Sequence, residues 1–522
     1  YPQQPPTAQP GYGYPGQPQP GYGYPGRPQP GYGYQGQTLP PHPPGGGRKK
    51  PSAQAVIITA AAVAVALIIG AGVWYANSGG GEEGKKDQAT SSAGTDGGQD
   101  GGKNTGGGKE KPPADVDSEL IFQLSYPKVD DVVPVSGSWL TDKAYVKTGV
   151  NKVVGYDAAS GTELWTVKLP GAVCAASAHK TEDNKTAILF RAGAKDVSCT
   201  EIGALDLDGG KLLWKKSVPE GDDKTGFSEV TVGAGTVAAG GTSGGAAFDI
   251  ESGSLRWKPS SSSDGCYDAG YGGGEALVAI RKCGQYGSSR QLLVQTLDPV
   301  SGSPKSTYKM SPGIEYASIV STKPLVVAAD VGDVANDGSG ISDFFSIDEK
   351  GKLRAKISAD AKKYAARCGA TEVESCKHLA VGNDRLYVPT EEHDGASGSL
   401  SGTNEIVAFD LATGKSTGQR ADAGENFTIA PLRMDGGNII AYKTPPYDKG
   451  GEVVSIDGST FKETVLLRNP AEKPGRDAET SFSADYSEML FGNGRLYISE
   501  VNVSDNGSDF GEQYLGVAFG VK

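Results

Sequence analysis

Few of the 522 residues have the side chains and spacing that chemistry requires. The chain contains six cysteines, Cys174, Cys199, Cys266, Cys283, Cys368 and Cys376, and four histidines, His42, His179, His378 and His393. A zinc site would call for closely spaced soft ligands, and no Cys-x-x-Cys is present. Disulfides suit the six better, and nearest-neighbour pairing gives Cys174–Cys199, Cys266–Cys283 and Cys368–Cys376, one of fifteen possible connectivities. Gly241-Thr242-Ser243-Gly244-Gly245 has the form of a hydrolase nucleophile elbow. That elbow needs a strand–turn–helix, whereas Ala246-Ala247-Phe248-Asp249 reads as a continuing strand, so a hairpin is expected. Asp330, Asp333, Asn336, Asp337 and Asp343 crowd one stretch, and Asp505, Asn506, Asp509 and Glu512 another. Oxygen clusters of this kind can hold Ca²⁺. The first nevertheless has Ala335 and Phe344 where an EF-hand needs ligands, and solvated turns are the preferred reading. No catalytic, cofactor-binding or metal residue is assigned on these grounds.

The elements that would position such residues fall into unequal parts. Of 32 prolines, 14 lie in the first 50 residues, with 7 of the 23 tyrosines. Residues 1–52 carry a ten-residue Pro/Gly/Tyr/Gln repeat that cannot bury enough apolar surface to order itself. Gly11, Gly13 and Gly16 match G-x-G-x-x-G there, but no strand or helix flanks them, so a nucleotide fingerprint is rejected. Ala55–Tyr75 follows Arg48-Lys49-Lys50, is uncharged, and is long enough to cross a hydrocarbon core. Residues 53–76 are therefore expected to be an uncleaved signal anchor. The tail before it has basic residues and no acidic ones, which places it in the cytoplasm and the rest outside. Residues 77–117 read as a flexible Gly-rich linker. The net charge of −12 argues against nucleic acid as a partner.

From residue 118 onward short β-rich runs alternate with turn clusters, and one unit recurs. Asp157, Gly161 and Trp165 return as Asp206, Gly210 and Trp214, then as Asp249, Gly253 and Trp257. Fainter copies carry Asp298 with Gly302, Asp348 with Gly351, Asp410 with Gly414, and Asp457 without a clear glycine. The Asp-to-Asp steps are 49, 43, 49, 50, 62 and 47 residues, the spacing of four-stranded propeller blades. Ser118–Leu124 lines up with Thr162–Lys168, setting Ile121 opposite Trp165, and reads as an outermost strand without its blade. Residues 489–498 and 514–519 read as inner strands without an outer partner. Joining the two would close a ring of eight blades, with seven as the alternative because of the 62-residue step.

The Asp-x-x-x-Gly-x-x-x-Trp units resemble the tryptophan-docked repeat of pyrroloquinoline-quinone-type (PQQ-like) β-propellers. The tail, anchor and tether are similar to those of actinobacterial membrane-anchored members. The resemblance implies an all-β propeller behind one transmembrane helix and a disordered tail, a monomeric ectodomain outside the cell membrane. It also admits two activities. One is a non-catalytic binding module, either a scaffold for envelope proteins or a sensor for a small ligand in the central channel. The other is a tethered quinoprotein dehydrogenase using pyrroloquinoline quinone and Ca²⁺. Quinoproteins of this fold resemble one another in an adjacent-cysteine disulfide, and this chain has no Cys-Cys pair. The binding reading is preferred, with no enzyme activity and no cofactor expected.

Overall fold

A computed structural model describes residues 108–242, 244–258, 265–285, 287, 289–332, 340–369, 371–395, 402–505 and 511–521. The chain divides into Tyr1–Ser91 and Ser92–Lys522, and only the second contains described residues. The tail, the expected anchor and most of the linker lie outside them. No helix among the described residues is long and apolar enough to cross a membrane.

Eight four-stranded antiparallel sheets follow one another as blades. Blade 1 spans 138–168, blade 2 173–216, blade 3 229–257 and blade 4 267–309; blade 5 spans 317–358, blade 6 380–422 and blade 7 428–468. Blade 8 takes three strands from 488–520 and its outermost strand from Glu119–Ser125, which pairs with Tyr514–Gly520. The ring is therefore closed by the first strand on the last blade, and eight is the count. First strands of neighbouring blades touch round the ring and so stand nearest the axis. The cores lie between blades, as where Trp214 of blade 2 clusters with Val237 and Phe248 of blade 3.

The recurrent unit has a definite mechanical job. Asp157 Oδ1 accepts the N–H groups of Ala159 (3.1 Å) and Ser160 (2.8 Å), while Gly161 N–H donates to the Asp157 carbonyl (2.9 Å). These side chains cap the tight turn before each outer strand. Asp206, Asp249, Asp298, Asp410 and Asp457 repeat the arrangement. Donated backbone N–H groups hold the Asp249 and Asp298 carboxyls down at about 2. Phe461, at φ 60°, takes the glycine position after Asp457, which is why no glycine was visible there.

The outer strand then skips one residue as a bulge before its aromatic. Leu164 is skipped before Trp165, Leu213 before Trp214 and Arg256 before Trp257. Each ring lands on the turn glycine of the next blade: Trp165 on Gly210, Trp214 on Gly253 and Trp257 on Gly302. In blade 8 the bulged residue is Ile121, so Phe122, rather than the Ile121 expected from the alignment, reaches Gly161 of blade 1. Alignment without a gap could not register that bulge. Blade 5 bulges as well, but Ala355 occupies the aromatic position, so the lock is missing there.

The end of the predicted linker is also laid against the ring. Glu110 pairs with Arg433 at 2.8 Å, its N–H donates to Asp435, and the carbonyl of Val116 accepts from Arg468 N–H at 2.7 Å.

Candidate functional site

The connection between blades 5 and 6, residues 359–379, does not stay at the rim. It carries a finger stapled by Cys368–Cys376 that runs inside the ring. Val373 N–H donates to Glu229 Oε2 of blade 3 at 2.8 Å, and its carbonyl accepts from Ile319 of blade 5 at 2.7 Å. Glu374 goes further. Its Oε1 lies 2.7 Å from His179 Nε2 of blade 2 and accepts Gly273 N–H of blade 4 at 3.0 Å, while Oε2 accepts the Thr231 hydroxyl of blade 3 at 2.6 Å. One carboxylate thereby joins three blades, and two adjacent backbone groups add a fourth. On return, Lys377 Nζ approaches the Asp485 carbonyl ahead of blade 8 at 3.4 Å.

The charges on the finger are set by burial and by one another. Burial alone would push the His179 imidazole down, but the Glu374 charge and hydrogen bond overcome it and hold the group above its ordinary value. Burial opposes ionisation of Glu374 too, yet His179, Thr231 and Gly273 keep it below the usual carboxylate range. Glu229 is different. Burial pushes its carboxyl up to about 8, with Glu374 and Glu372 adding repulsion. Its Oε1 is buried without a partner among the described residues and faces Gly270, where a Cβ would collide with it.

Across the axis a second buried group ties the closing seam. Lys147 of blade 1 is fully buried, with Nζ 2.8 Å from Glu488 Oε2 of blade 8 and 2.6 Å from the Val135 carbonyl. Gly137 N–H donates to the other Glu488 oxygen at 2.6 Å. Burial lowers the Lys147 ammonium despite this partner.

The cysteines form three disulfides: Cys174–Cys199 in blade 2, Cys266–Cys283 in blade 4, and Cys368–Cys376 in the finger rather than in a blade. Gly241 and Gly245 flank a hairpin, Ala246–Asp249 is a strand as expected, and Gly245 is needed because the Tyr271 ring lies against it. Ser243 lies outside the described residues, as do Asp333, Asn336, Asp337, Asn506 and Asp509. Asp343 begins a strand and bonds Ser342 and Ser358. Among the described residues no three His, Cys, Asp or Glu side chains are grouped to hold a metal ion. The motif residues Asp157, Gly161, Trp165 and their repeats build the frame and do not meet at the axis. The finger was missed because its bonds join residues up to 195 apart in sequence. Two cysteines eight residues apart in the longest Asp-to-Asp step were its one available signal.

The family described as outer membrane protein assembly factor BamB matches residues 127–269 and 198–370. With eight blades, Asp-capped turns and aromatic-on-glycine contacts already in place, that match decides the type. The ring is a PQQ-like β-propeller. Similar solved structures include BamB from Moraxella catarrhalis, at 12% identity over 76% of this chain and 100% of that one, TM-score 0.38. Quinohemoprotein alcohol dehydrogenase ADHIIG from Pseudomonas putida HK5 has 12% identity over 77% and 76%, TM-score 0.42. A europium-containing methanol dehydrogenase has 12% identity over 77% and 93%, TM-score 0.43. No curated protein matches the chain. In this PQQ-like propeller the chain's own finger is hydrogen-bonded to blades 2 to 5 from inside the ring.

Proposed function

We propose that the protein is a non-catalytic binding ring, anchored in a cell membrane by residues 53–76 and displayed outside it as a scaffold for other envelope proteins. The observation that carries this reading is the finger, whose Glu374 and Val373 hydrogen-bond to the innermost strands of blades 3 and 5 and to the loops that follow those of blades 2 and 4. With the axis so engaged, recognition falls to the loops on the two faces, which a rigid ring holds in fixed positions. The match to an assembly-factor family favours protein partners over a small substrate. Fold alone decides neither, because function resides in a site rather than an architecture.

A thermal-shift series on the full chain tests this against the quinoprotein reading. A ligand at a hundred times its dissociation constant adds roughly 2.7 kcal/mol of stability. Pyrroloquinoline quinone, Ca²⁺ and their mixture are each expected to leave the midpoint unchanged, while photo-cross-linking from loop positions captures discrete protein partners. A rise requiring quinone and Ca²⁺ together would refute the scaffold reading.

A further inference from the structure

The closing seam holds a cavity of ≈ 330 Å³ between blades 8 and 1. Arg495 and Tyr497 of blade 8 line it on one side, Thr141, Asp142 and Ala158 of blade 1 on the other, and Asn493 at its rim. The Arg495 guanidinium has no hydrogen-bond or ion-pair partner among the described residues, and its Nε is buried without one. Its stem lies over Gly520, where a Cβ would come 3.0 Å from Arg495 Cγ. The nearby Asp157 carboxyl feels the Arg495 charge but makes no hydrogen bond or ion pair with it, its Oδ1 being held by Ala159 and Ser160. Asp142, exposed, has no side-chain hydrogen bond or salt bridge among the described residues. The Thr141 oxygen accepts the N–H groups of Lys143 (3.3 Å) and Ala144 (3.1 Å), so its own hydroxyl proton is left to donate. The floor is rigid: Tyr497 stacks on Tyr145 at 4.7 Å and its hydroxyl is fixed on the Ala158 carbonyl at 2.8 Å.

A buried, unsatisfied guanidinium Nε costs free energy that a carboxylate restores, and the planar fork suits that group. A carboxylate alone would leave Asp142 unmatched on the opposite wall. The volume lies at the small end of ligand sites, which run from about 300 to 1,000 Å³. We propose that this cavity binds a small zwitterion, a free α-amino acid, with its carboxylate on Arg495 and the Thr141 hydroxyl and its ammonium on Asp142. The amino-acid side chain then lies over Tyr497. Because the two walls belong to the first and last blades, the ligand also clasps the ring where its ends meet.

The test is calorimetric titration and thermal shift of the full chain with L-alanine and L-leucine, against acetate and ethylamine as half-ligands. The amino acids are expected to bind and to raise the midpoint, acetate to bind at least about tenfold more weakly, and ethylamine to give no signal. Arg495→Gln should lower amino-acid affinity about tenfold or more, while Arg495→Lys, which keeps the charge and much of the stem, should retain part of it. Asp142→Asn, at an exposed position, should reduce the amino acids to the affinity of acetate. Lack of binding by either amino acid, or binding that survives Arg495→Gln, overturns the site. Equal binding of acetate and alanine overturns the zwitterion assignment.

Discussion

Gly210 and Gly221 offer a matched pair in which one contact differs. Both adopt left-handed backbone, at φ 61° and 62°, and both lie in turns of the same part of the ring. A Cβ at Gly221 meets nothing within 4 Å, whereas a Cβ at Gly210 falls within the Trp165 ring. Gly221→Ala therefore carries only the left-handed penalty of roughly 1–2 kcal/mol. Gly210→Ala carries the same penalty plus overpacking of about 1–3 kcal/mol, so the pair should differ by about 2 kcal/mol. Across some 400 residues at about 2 cal/mol/K each, that is a midpoint difference of roughly 2–3 °C by scanning calorimetry. The double variant Gly210→Ala/Trp165→Ala completes a cycle. Removing the ring relieves the clash, so its cost should fall short of the sum of the singles by about the overpacking increment. Equal midpoints for Gly210→Ala and Gly221→Ala, or strict additivity in the cycle, would show that the aromatic lock between blades contributes nothing to stability.

Three further outcomes follow from the axial groups. Glu229 has its folded value raised to about 8, so its contribution to stability falls as pH rises from the ordinary carboxylate value towards 8; Glu229→Gln should raise the midpoint at pH 8 and change it little at pH 4.5, and a pH-independent effect would contradict the burial argument. His179 is likewise raised, so its pairing with Glu374 is fully present below the unfolded value near 6.5 and is lost as pH climbs through the folded one, giving a wild-type melting optimum on the mildly acidic side that His179→Gln abolishes. Lys147→Ala strands Glu488 at the closing seam and should cost about 3–5 kcal/mol, whereas Lys147→Met with Glu488→Leu should be near neutral in denaturant titrations; equal losses in the two would refute the view that the pair specifies rather than stabilises the closure.

What the sequence made legible is what repeats. Asp157, Gly161 and Trp165 recur because each turn and each neighbouring-blade contact poses the same local problem, and local problems leave periodic residues. Even the final closure was visible, since the edge left on the last blade requires a strand that only residues 119–125 supply. The pattern faded where a different residue meets the same need, as Phe461 does in left-handed backbone or Ala355 does at an aromatic position. It slipped by one at Ile121, because a bulge changes register without changing composition.

The finger and the seam cavity belong to another class of feature. Each arises from residues brought together by closure of the ring, as with His179 and Glu374, or Asp142 and Arg495, and neither pair leaves a period to detect. The two also divide the polar groups of the interior in a telling way. Along the finger Glu374 makes three contacts to three blades, while Glu229 Oε1 beside it is buried without a partner among the described residues. At the seam Arg495 Nε is buried without a partner among the described residues, in a cavity that the exposed Asp142 also lines. Unsatisfied buried polar groups are costly and need a reason to persist. The axis and the seam each keep a buried polar atom without a partner among the described residues, and at the seam that atom belongs to Arg495, which lines a cavity. The proposed amino-acid site therefore lies at the joint between the first and last blades, away from the finger.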